Sequence, residues 1–223
     1  MSNLTLLIPA KHESESLPIF LDELKKYDYK KVVILDQTDI KTINSIKKFE
    51  DVEILNQKKN GYGNALIEGI NHTKTEFFCI INADGSMNPN ELEGMLNEIN
   101  QNNQDIVFGS RYMQKAGSDD DDMLTSVGNF CFTLLGKIFF KLKVSDILYT
   151  YIVGRTKKIK DLDLVSGDFK FCVELPIKTL RKKYKYTCYP SFERRRIAGK
   201  KKVSPFLDGF HILAGMISLF FKK

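Results

Sequence analysis

A short apolar run ends abruptly in residues that could bind a metal ion. Residues 77–81 have the length and the aromatic and β-branched content of a buried strand. Asn82, Ala83, Asp84 and Gly85 follow directly. The Asp84 carboxylate is a hard oxygen ligand, of the type that Mg²⁺ or Mn²⁺ binds while keeping waters and substrate phosphates. A turn that Asp84 caps together with Gly85 is the alternative interpretation.

Polar clusters also follow other apolar runs. Residues 9–15 come after the apolar run 4–8, and residues 36–39 come after the run 31–35. The carboxyl ends of parallel strands share one edge of a sheet, and ligands bind in the crevice outside that edge. We therefore expect these clusters to converge with Asp84 on a common cleft.

These clusters would be positioned by alternating strands and helices. Strands are predicted over residues 4–8, 31–35, 52–55, 77–81 and 105–109, with apolar residues at helical spacing in between. Asn88 and Pro89 are predicted to cap and open the helix after the fourth strand. Residues 169–180 indicate a further helix and residues 184–189 a late strand. This alternation predicts an α/β fold with a mostly parallel sheet and right-handed crossovers.

Composition limits the class of protein. The 223 residues are 43% hydrophobic and 28% charged, which is enough for one sizeable core. The net charge of +6 favours anionic partners such as a nucleotide, a phospholipid surface or nucleic acid. The 4 cysteines form no CxxC pair, so a zinc site is not expected. The sequence has no uninterrupted run of eighteen apolar residues, so it does not predict a transmembrane helix with certainty.

The C-terminal stretch differs from the rest of the chain. Residues 203–221 are apolar apart from Asp208 and His211. The stretch is broken by Pro205, Gly209 and Gly215. This pattern favours an amphipathic helix that lies in a membrane interface. We therefore predict one domain over residues 1–202 and an apolar helical attachment over residues 203–223.

Two central segments have less specific patterns. The Phe- and Leu-rich residues 124–140 fit either a protein core or a membrane-facing surface. Residues 117–122 include four consecutive aspartates and are interpreted as a solvated, mobile loop, with a metal site as the lesser alternative.

Six motifs then occur in order: residues 8–13, 35–39, 61–65, 82–86, 109–112 and 196–202. Together they resemble a family 2 glycosyltransferase of the GT-A fold, over nearly the whole chain. The similarity is greatest to polyprenyl-phosphate sugar transferases of the dolichol-phosphate mannose synthase type. It implies a Rossmann-like, mostly parallel sheet flanked by helices. It also implies transfer of a sugar from a UDP- or GDP-linked donor, with Mg²⁺ or Mn²⁺ as cofactor.

The resemblance implies roles for individual residues. The nucleotide would contact Pro9, Ala10, Lys11, Glu13, Asp36, Lys58, Gly61, Gly63, Ala83 and Asp84. The metal ligands would be Asp84, Asn82 and Ser86. The catalytic side chains would be Asp84, Arg111, Arg196 and Lys202, of which the three cations would neutralise phosphates. Asp36 would bind the base, because uracil and guanine both present ring N–H donors.

The chain departs from the family's pattern at the metal motif and near the acceptor. Asn82 replaces the first Asp of the Asp-x-Asp motif, and Ser86 stands where Gln is common. These changes predict weaker metal binding, or a metal held mostly by Asp84 and the diphosphate. Residues 150–152 lack the Arg of the usual Gly-Phe-Arg segment, and Lys201 replaces a Ser or Thr. Acceptor recognition is therefore the least determined part of the function.

The expected chemistry depends on the acceptor. Departure of a nucleoside diphosphate builds negative charge, which a divalent ion and Arg or Lys side chains would stabilise. A polyprenyl phosphate is already an anion and needs no strong base, whereas a sugar hydroxyl needs a carboxylate to take its proton. His12, Glu13 and Asp146 are candidate bases only by their loop positions. The chain has no Trp, so the Gln-x-x-Arg-Trp signature of processive synthases is absent and single transfer is favoured.

We therefore predict a glycosyltransferase bound peripherally to the cytoplasmic face of a membrane. Its acceptor would be a lipid phosphate or a glycolipid, and no nucleic-acid partner is expected. A transferase for a saccharide or glycolipid hydroxyl is the first alternative. A non-catalytic basic module for membrane or nucleic acid would explain the Arg and Lys runs but not the Asp36 and Asp84 clusters. A catalytically idle homologue is a further hypothesis, suggested by Asn82.

Overall fold

A seven-stranded sheet lies at the centre of the fold in the computed structural model. The structure describes residues 3–202 and 204–222. The start of the predicted domain (residues 1 and 2) and both ends of the predicted attachment (residues 203 and 223) lie outside the described residues. The strands are β1 (Leu4–Pro9), β2 (Lys30–Leu35), β3 (Val52–Asn56), β4 (Phe77–Ile80), β5 (Ile106–Ser110), β6 (Gly117–Ser118), β7 (Ile152–Arg155), β8 (Tyr186–Pro190) and β9 (Phe192–Glu193).

The sheet order is β3-β2-β1-β4-β7-β5-β8, and β6 pairs separately with β9. All pairs are parallel except those of β7, which runs antiparallel to both β4 and β5. The helices are α1 (Ser16–Leu24), α2 (Ile40–Ile46), α3 (Tyr62–His72), α4 (Leu92–Gln101), α5 (Met123–Phe140), α6 (Thr156–Lys160), α7 (Phe171–Arg181) and α8 (Pro205–Phe221). The predicted α/β class with a mostly parallel sheet is confirmed.

The central strands are buried on both faces, which explains their continuous apolar sequences. Leu6 and Ile8 of β1 pack into one apolar cluster, and Leu7 between them packs into the cluster on the other face. Side chains alternate across a strand, so each strand serves both cores.

Most predicted elements are present, and the structure adds β6, β7, β9 and α6, which were not predicted. Asn88 and Pro89 open a 3-10 turn, Pro89–Glu91, and α4 begins after it. β7 was not predicted, because residues 149–153 have only a mixed aromatic pattern. This strand forms between β4 and β5 by pairing with residues far away in the chain.

Two apolar helices, α5 and α8, lie side by side on the outside of the domain. Phe139 and Phe140 of α5 contact Phe220 of α8 edge to face. α8 also buries Ile212 and Met216 in a cluster with Val173 and Ile177 of α7. α5 is long and apolar enough to cross a membrane by length and composition, and 17% of it is buried.

Candidate active site

The loops that follow β1, β2 and β4 lie at one edge of the sheet, as predicted, and the loop after β3 lies there too. The backbone N–H of Ala10 donates to the carbonyl of Ile34 at 2.9 Å, and that of Ile81 donates to Leu7 at 3.0 Å. Gln57 after β3 donates to Leu35 at 2.8 Å. These bonds align the ends of the four strands, so the polar clusters after them lie along one edge of the sheet, where we expect the cleft.

The loop after β1 is held in place by the N-terminus of α2. The backbone N–H of His12 donates to Asp39 Oδ2 at 2.7 Å, and that of Glu13 donates to Thr42 Oγ1 at 3.0 Å. Asp39 also caps α2. Burial alone would raise the pKa of Asp39, but the hydrogen bonds from His12 and Thr42 lower it below its ordinary value. Asp39 is thus a supporting residue whose signal in the sequence was its position before a helical stripe.

Glu13 and Lys202, predicted from opposite ends of the chain, form an ion pair with each other. Glu13 is buried and also accepts a hydrogen bond from Ser16 Oγ at 2.5 Å. The structure therefore brings a predicted nucleotide-binding residue and a predicted catalytic cation together at the cleft.

Asp36 and the glycine turn have local roles in addition to the predicted ones. Asp36 accepts hydrogen bonds from the backbone N–H and the hydroxyl of Thr38, which lower its pKa. A Cβ on Gly63 would lie 2.1 Å from the carbonyl oxygen of Ser166, and one on Gly61 would lie 2.2 Å from that of Gly167. Protein packing therefore requires both glycines. Contacts of Asp36, Lys58, Gly61 and Gly63 with a nucleotide stay predictions.

Asp84 caps the turn after β4, as in the alternative interpretation, and its role as a metal ligand stays a prediction. Asp84 Oδ1 accepts a hydrogen bond from the backbone N–H of Ser86 at 3.1 Å. Its Oδ2 lies 3.5 Å from Arg196 Nη1. Asn82 Oδ1 accepts a hydrogen bond from the Tyr62 hydroxyl at 3.3 Å. One carboxylate oxygen is thus used by the turn and the other faces a cation.

Residues 194–202, here called the basic arm, lie along this turn. The backbone N–H of Arg194 donates to the backbone carbonyl of Ser86 at 2.8 Å, and that of Ile197 donates to the backbone carbonyl of Asp84 at 2.9 Å. The Arg194 guanidinium donates to both carboxylate oxygens of Glu23 at 2.9 and 3.1 Å and to the Gly85 carbonyl at 2.7 Å. Arg194 therefore anchors the arm. Its role was not predicted, because a run of arginines does not show which member turns inward.

Residues 117–122, here called the acidic loop, neutralise much of the basic arm. Asp120 pairs with Arg196 at 2.6 Å, and Asp122 pairs with Lys201 at 2.9 Å. Asp121 lies 3.4 Å from Arg111 Nη1. The interpretation as a solvated loop is therefore wrong for Asp120 and Asp121, which are paired and largely buried, whereas Asp122 is paired but exposed. Asp119 is exposed.

Arg111 is held in a buried network. It donates to both oxygens of Asp146 at 2.7 and 3.0 Å, and Asn129 donates to Asp146 at 2.5 Å. Burial alone would lower the pKa of Arg111, but Asp146 and Glu193 raise it above its ordinary value. Asp146 is 1% exposed. Its oxygens are occupied and buried, so the hypothesis that Asp146 is a general base is not supported by the geometry.

The oxygen atoms at the turn fit a metal ion whose remaining ligands come from the substrate and from water. Among the described residues, no group of three His, Cys, Asp or Glu could hold a metal ion. Mg²⁺, however, is commonly bound by one or two carboxylates together with substrate phosphates and waters. Asp84 supplies one carboxylate, and Asn82 supplies a neutral oxygen. The site therefore fits a metal that arrives with a diphosphate.

The fold is that of the GT-A glycosyltransferases. The structure superposes on glucosyl-3-phosphoglycerate synthase from Mycobacterium tuberculosis, crystallised with Mn²⁺, UDP and phosphoglyceric acid. The TM-score is 0.71 at 15% identity, over 98% of this chain and 78% of that one. Residues 5–163 match the model of glycosyl transferase family 2. The chain belongs to this family, and the prediction of a family 2 glycosyltransferase is confirmed.

Two named relatives differ in acceptor. The poly(ribitol-phosphate) β-N-acetylglucosaminyltransferase of Staphylococcus aureus is 23% identical over 78% of this chain. A dolichyl-phosphate β-glucosyltransferase of Trichomonas vaginalis is 31% identical over 48% of it. The matches span 57% and 40% of the lengths of these two relatives.

Proposed function

We propose that this protein transfers a single sugar from a UDP- or GDP-linked donor to a polyprenyl phosphate at a membrane surface. The observation that carries the proposal is the convergence of Asp84, Arg196, Lys202 and Glu13 at the carboxyl edge of the sheet. This arrangement puts two carboxylates and two cations at the edge of the sheet where we expect the nucleotide sugar to bind.

Lys202 would bind the donor's diphosphate by exchanging its carboxylate partner, and Arg196 would bind it through Nη1, which its pair with Asp120 does not use. Arg196 and Lys202 are paired with carboxylates that lie on the protein. Phosphate oxygens are equally good acceptors for a guanidinium or an ammonium group. A charge held in a partly buried site stabilises the leaving diphosphate more strongly than the same charge in water. Positioned cations would therefore stabilise the group as its charge develops.

The proposed cofactor is Mg²⁺ or Mn²⁺, held by Asp84 with Asn82 and Ser86 beside it. Bound there, the ion would supply Lewis-acid stabilisation of the diphosphate. The neutral Asn82 leaves Asp84 as the one anionic ligand of the motif, so we expect the ion to bind weakly without the nucleotide. The M. tuberculosis enzyme of similar fold was crystallised with UDP and either Mn²⁺ or Mg²⁺, which supports this assignment.

A lipid-phosphate acceptor agrees with two features of the site. The acidic loop leads directly into α5, and the basic arm leads towards α8, so both apolar helices begin beside the cleft. Asp146 is fully occupied by Arg111 and Asn129, and an acceptor that is already an anion needs no such base. The partial match to a dolichyl-phosphate glucosyltransferase supports the same acceptor class.

The exposed faces of α5 and α8, here called the apolar helix pair, would attach the domain to the cytoplasmic face of a membrane. Large apolar side chains stand 65–84% exposed: Met123, Phe130, Phe206, Phe210 and Phe221. Exposed apolar patches of this kind mark interaction sites. Because α8 packs on α5 and α7, we propose that the pair lies flat in the interface, so that α5 contributes to attachment together with residues 203–223.

A thermal-shift panel would test the donor assignment. UDP, GDP, CDP and their sugars would be added with and without Mn²⁺, because a ligand that binds only the folded state raises its stability. We expect one diphosphate to raise the melting temperature, a larger shift with Mn²⁺, and loss of the metal-dependent part in Asp84→Asn. No shift with any nucleotide would contradict the proposal and favour a catalytically idle homologue.

A panel of acceptors would test the proposed acceptor class. Transfer of a radiolabelled sugar to polyprenyl phosphate would support the proposal. Transfer to poly(ribitol phosphate) or to a saccharide instead would establish a hydroxyl acceptor, the alternative that the S. aureus relative favours.

A further inference from the structure

Asp120 of the acidic loop forms a bidentate ion pair with the Arg196 guanidinium. Asp120 Oδ1 accepts a hydrogen bond from Arg196 Nε at 3.1 Å, and Oδ2 accepts one from Nη2 at 2.6 Å. Nη1 is left facing Asp84, whose Oδ2 is 3.5 Å away. The guanidinium therefore lies between two carboxylates, close to Asp120 and at the limit of contact with Asp84.

The pair with Asp120 keeps the Arg196 guanidinium from forming a close pair with Asp84. A bidentate pair fixes the orientation of a guanidinium as well as neutralising its charge. The Arg196 and Asp120 side chains are only 19% and 10% exposed, so water competes little with their contact. Without Asp120, the nearest carboxylate for Arg196 would be Asp84. A close Arg196–Asp84 pair would then occupy the carboxylate assigned to the metal.

We infer that Asp120 is a positioning residue, which holds Arg196 with Nη1 towards the diphosphate and keeps Asp84 available to the metal. This inference rests on the proposed function, because it takes Arg196 and Asp84 as the groups that meet the donor. It also gives the acidic loop a role in the site, through an aspartate that touches neither donor nor acceptor.

A double-mutant cycle on nucleotide binding tests the inference. UDP and GDP would be titrated by calorimetry, with and without Mn²⁺, into the wild type, Asp120→Asn, Arg196→Ala and the double variant. Asn keeps the volume of Asp and removes its charge. We expect Asp120→Asn to weaken metal-dependent binding about threefold to tenfold, the scale of ordering one long side chain on binding. The same change should have no further effect in the Arg196→Ala background.

Two further variants separate positioning from charge. Asp119→Asn removes the same charge from the same loop, at a side chain that is exposed. It should bind as the wild type does. Asp120→Glu keeps the carboxylate on a longer stem and should retain most of the affinity, which also shows that the site tolerates substitution there.

Unchanged or tighter binding by Asp120→Asn would overturn the inference, since Asp120 would then only compete with the diphosphate for Arg196. An equal loss in the Arg196→Ala background would also overturn it, because the effect would not pass through Arg196. Failure of the wild type to bind any nucleoside diphosphate is a different result. It would remove the proposed function, and this inference with it.

Discussion

At the scale of single residues, the site is a set of exchangeable ion pairs. Arg196, Lys201 and Lys202 each have a carboxylate partner on the protein. Two of the cations expected near the donor, Arg196 and Lys202, are therefore already paired, and a phosphate that binds Lys202 must replace the carboxylate of Glu13. This explains why a net charge of +6 does not by itself describe a surface that is free to bind anions.

The pair between Asp122 and Lys201 predicts a pH dependence. Lys201 and the backbone N–H of Thr125 lower the pKa of Asp122 to about 2. Because this folded-state pKa is below the unfolded value near 3.8, the stabilisation is present above about pH 4 and is lost as the pH falls towards 2. We therefore expect the melting temperature of Asp122→Asn to fall less than that of the wild type between pH 5 and pH 2.

The side chain is exposed, so the expected difference is small. Asp119→Asn, the control from the same loop, should follow the wild-type curve. Parallel curves for the wild type and Asp122→Asn would contradict the prediction, since Asp122 would then have the same pKa in both states.

At the scale of elements, the start of α3 is fixed by a backbone that comes from far along the chain. The N–H of Asn64 donates to the Gly167 carbonyl at 3.0 Å, and Tyr62 stacks on Phe169 with ring centroids 5.1 Å apart. The segment before α7 thus covers the glycine turn and brings Tyr62 to Asn82. Protein packing therefore occupies this side of the glycine turn, and we expect the nucleotide on the opposite side.

Two glycine substitutions in helices should have opposite effects on stability. A Cβ at Gly63 would lie 2.1 and 2.7 Å from the backbone oxygens of Ser166 and Asp168, so Gly63→Ala must displace the segment. We expect a loss of about 1–3 kcal/mol in the free energy of unfolding. Gly128 of α5 has nothing within 4 Å of the Cβ position, so Gly128→Ala should gain up to about 1 kcal/mol.

Urea unfolding of both variants would measure these changes. A Gly63→Ala protein as stable as the wild type would show that residues 166–168 do not pack against α3 as described.

At the scale of the whole molecule, the proposed function requires the cleft and the apolar helix pair to belong to one surface. The acidic loop and the basic arm join the two, since each leads from the cleft into one of the helices. A lipid held at this surface would present its phosphate to the cleft without leaving the interface. The membrane would then concentrate the acceptor in the plane where the basic arm lies.

Vesicle binding tests this arrangement. Phe210 is 70% exposed on α8, and burying a Phe side chain contributes about 1.5–3 kcal/mol. We expect Phe210→Glu to reduce co-sedimentation with liposomes at least tenfold while leaving the melting temperature unchanged. Ile40→Glu, at a 56% exposed position on α2, is the matched control and should bind as the wild type does. Equal binding by all three proteins would place the membrane contact elsewhere.

The amino-acid sequence alone determined the local elements and the order of the motifs. The strands at residues 4–8, 31–35 and 77–81 follow from apolar runs, and the helices follow from apolar residues at helical spacing. The placement of polar clusters after parallel strands was enough to predict one cleft. These features depend on periodicity and chain order, which are properties of neighbouring residues.

Tertiary structure alone decided which charges meet. Arg194 pairs with Glu23, 171 residues away, and Arg196 pairs with Asp120, 76 residues away. β7 likewise forms by antiparallel pairing with β4 and β5, which are distant from it in the sequence. A basic run and an acidic run look alike whether solvated or paired, because pairing depends on distances that the order of residues does not contain. The sequence therefore predicted a cationic site, and the fold determined which carboxylates hold its cations.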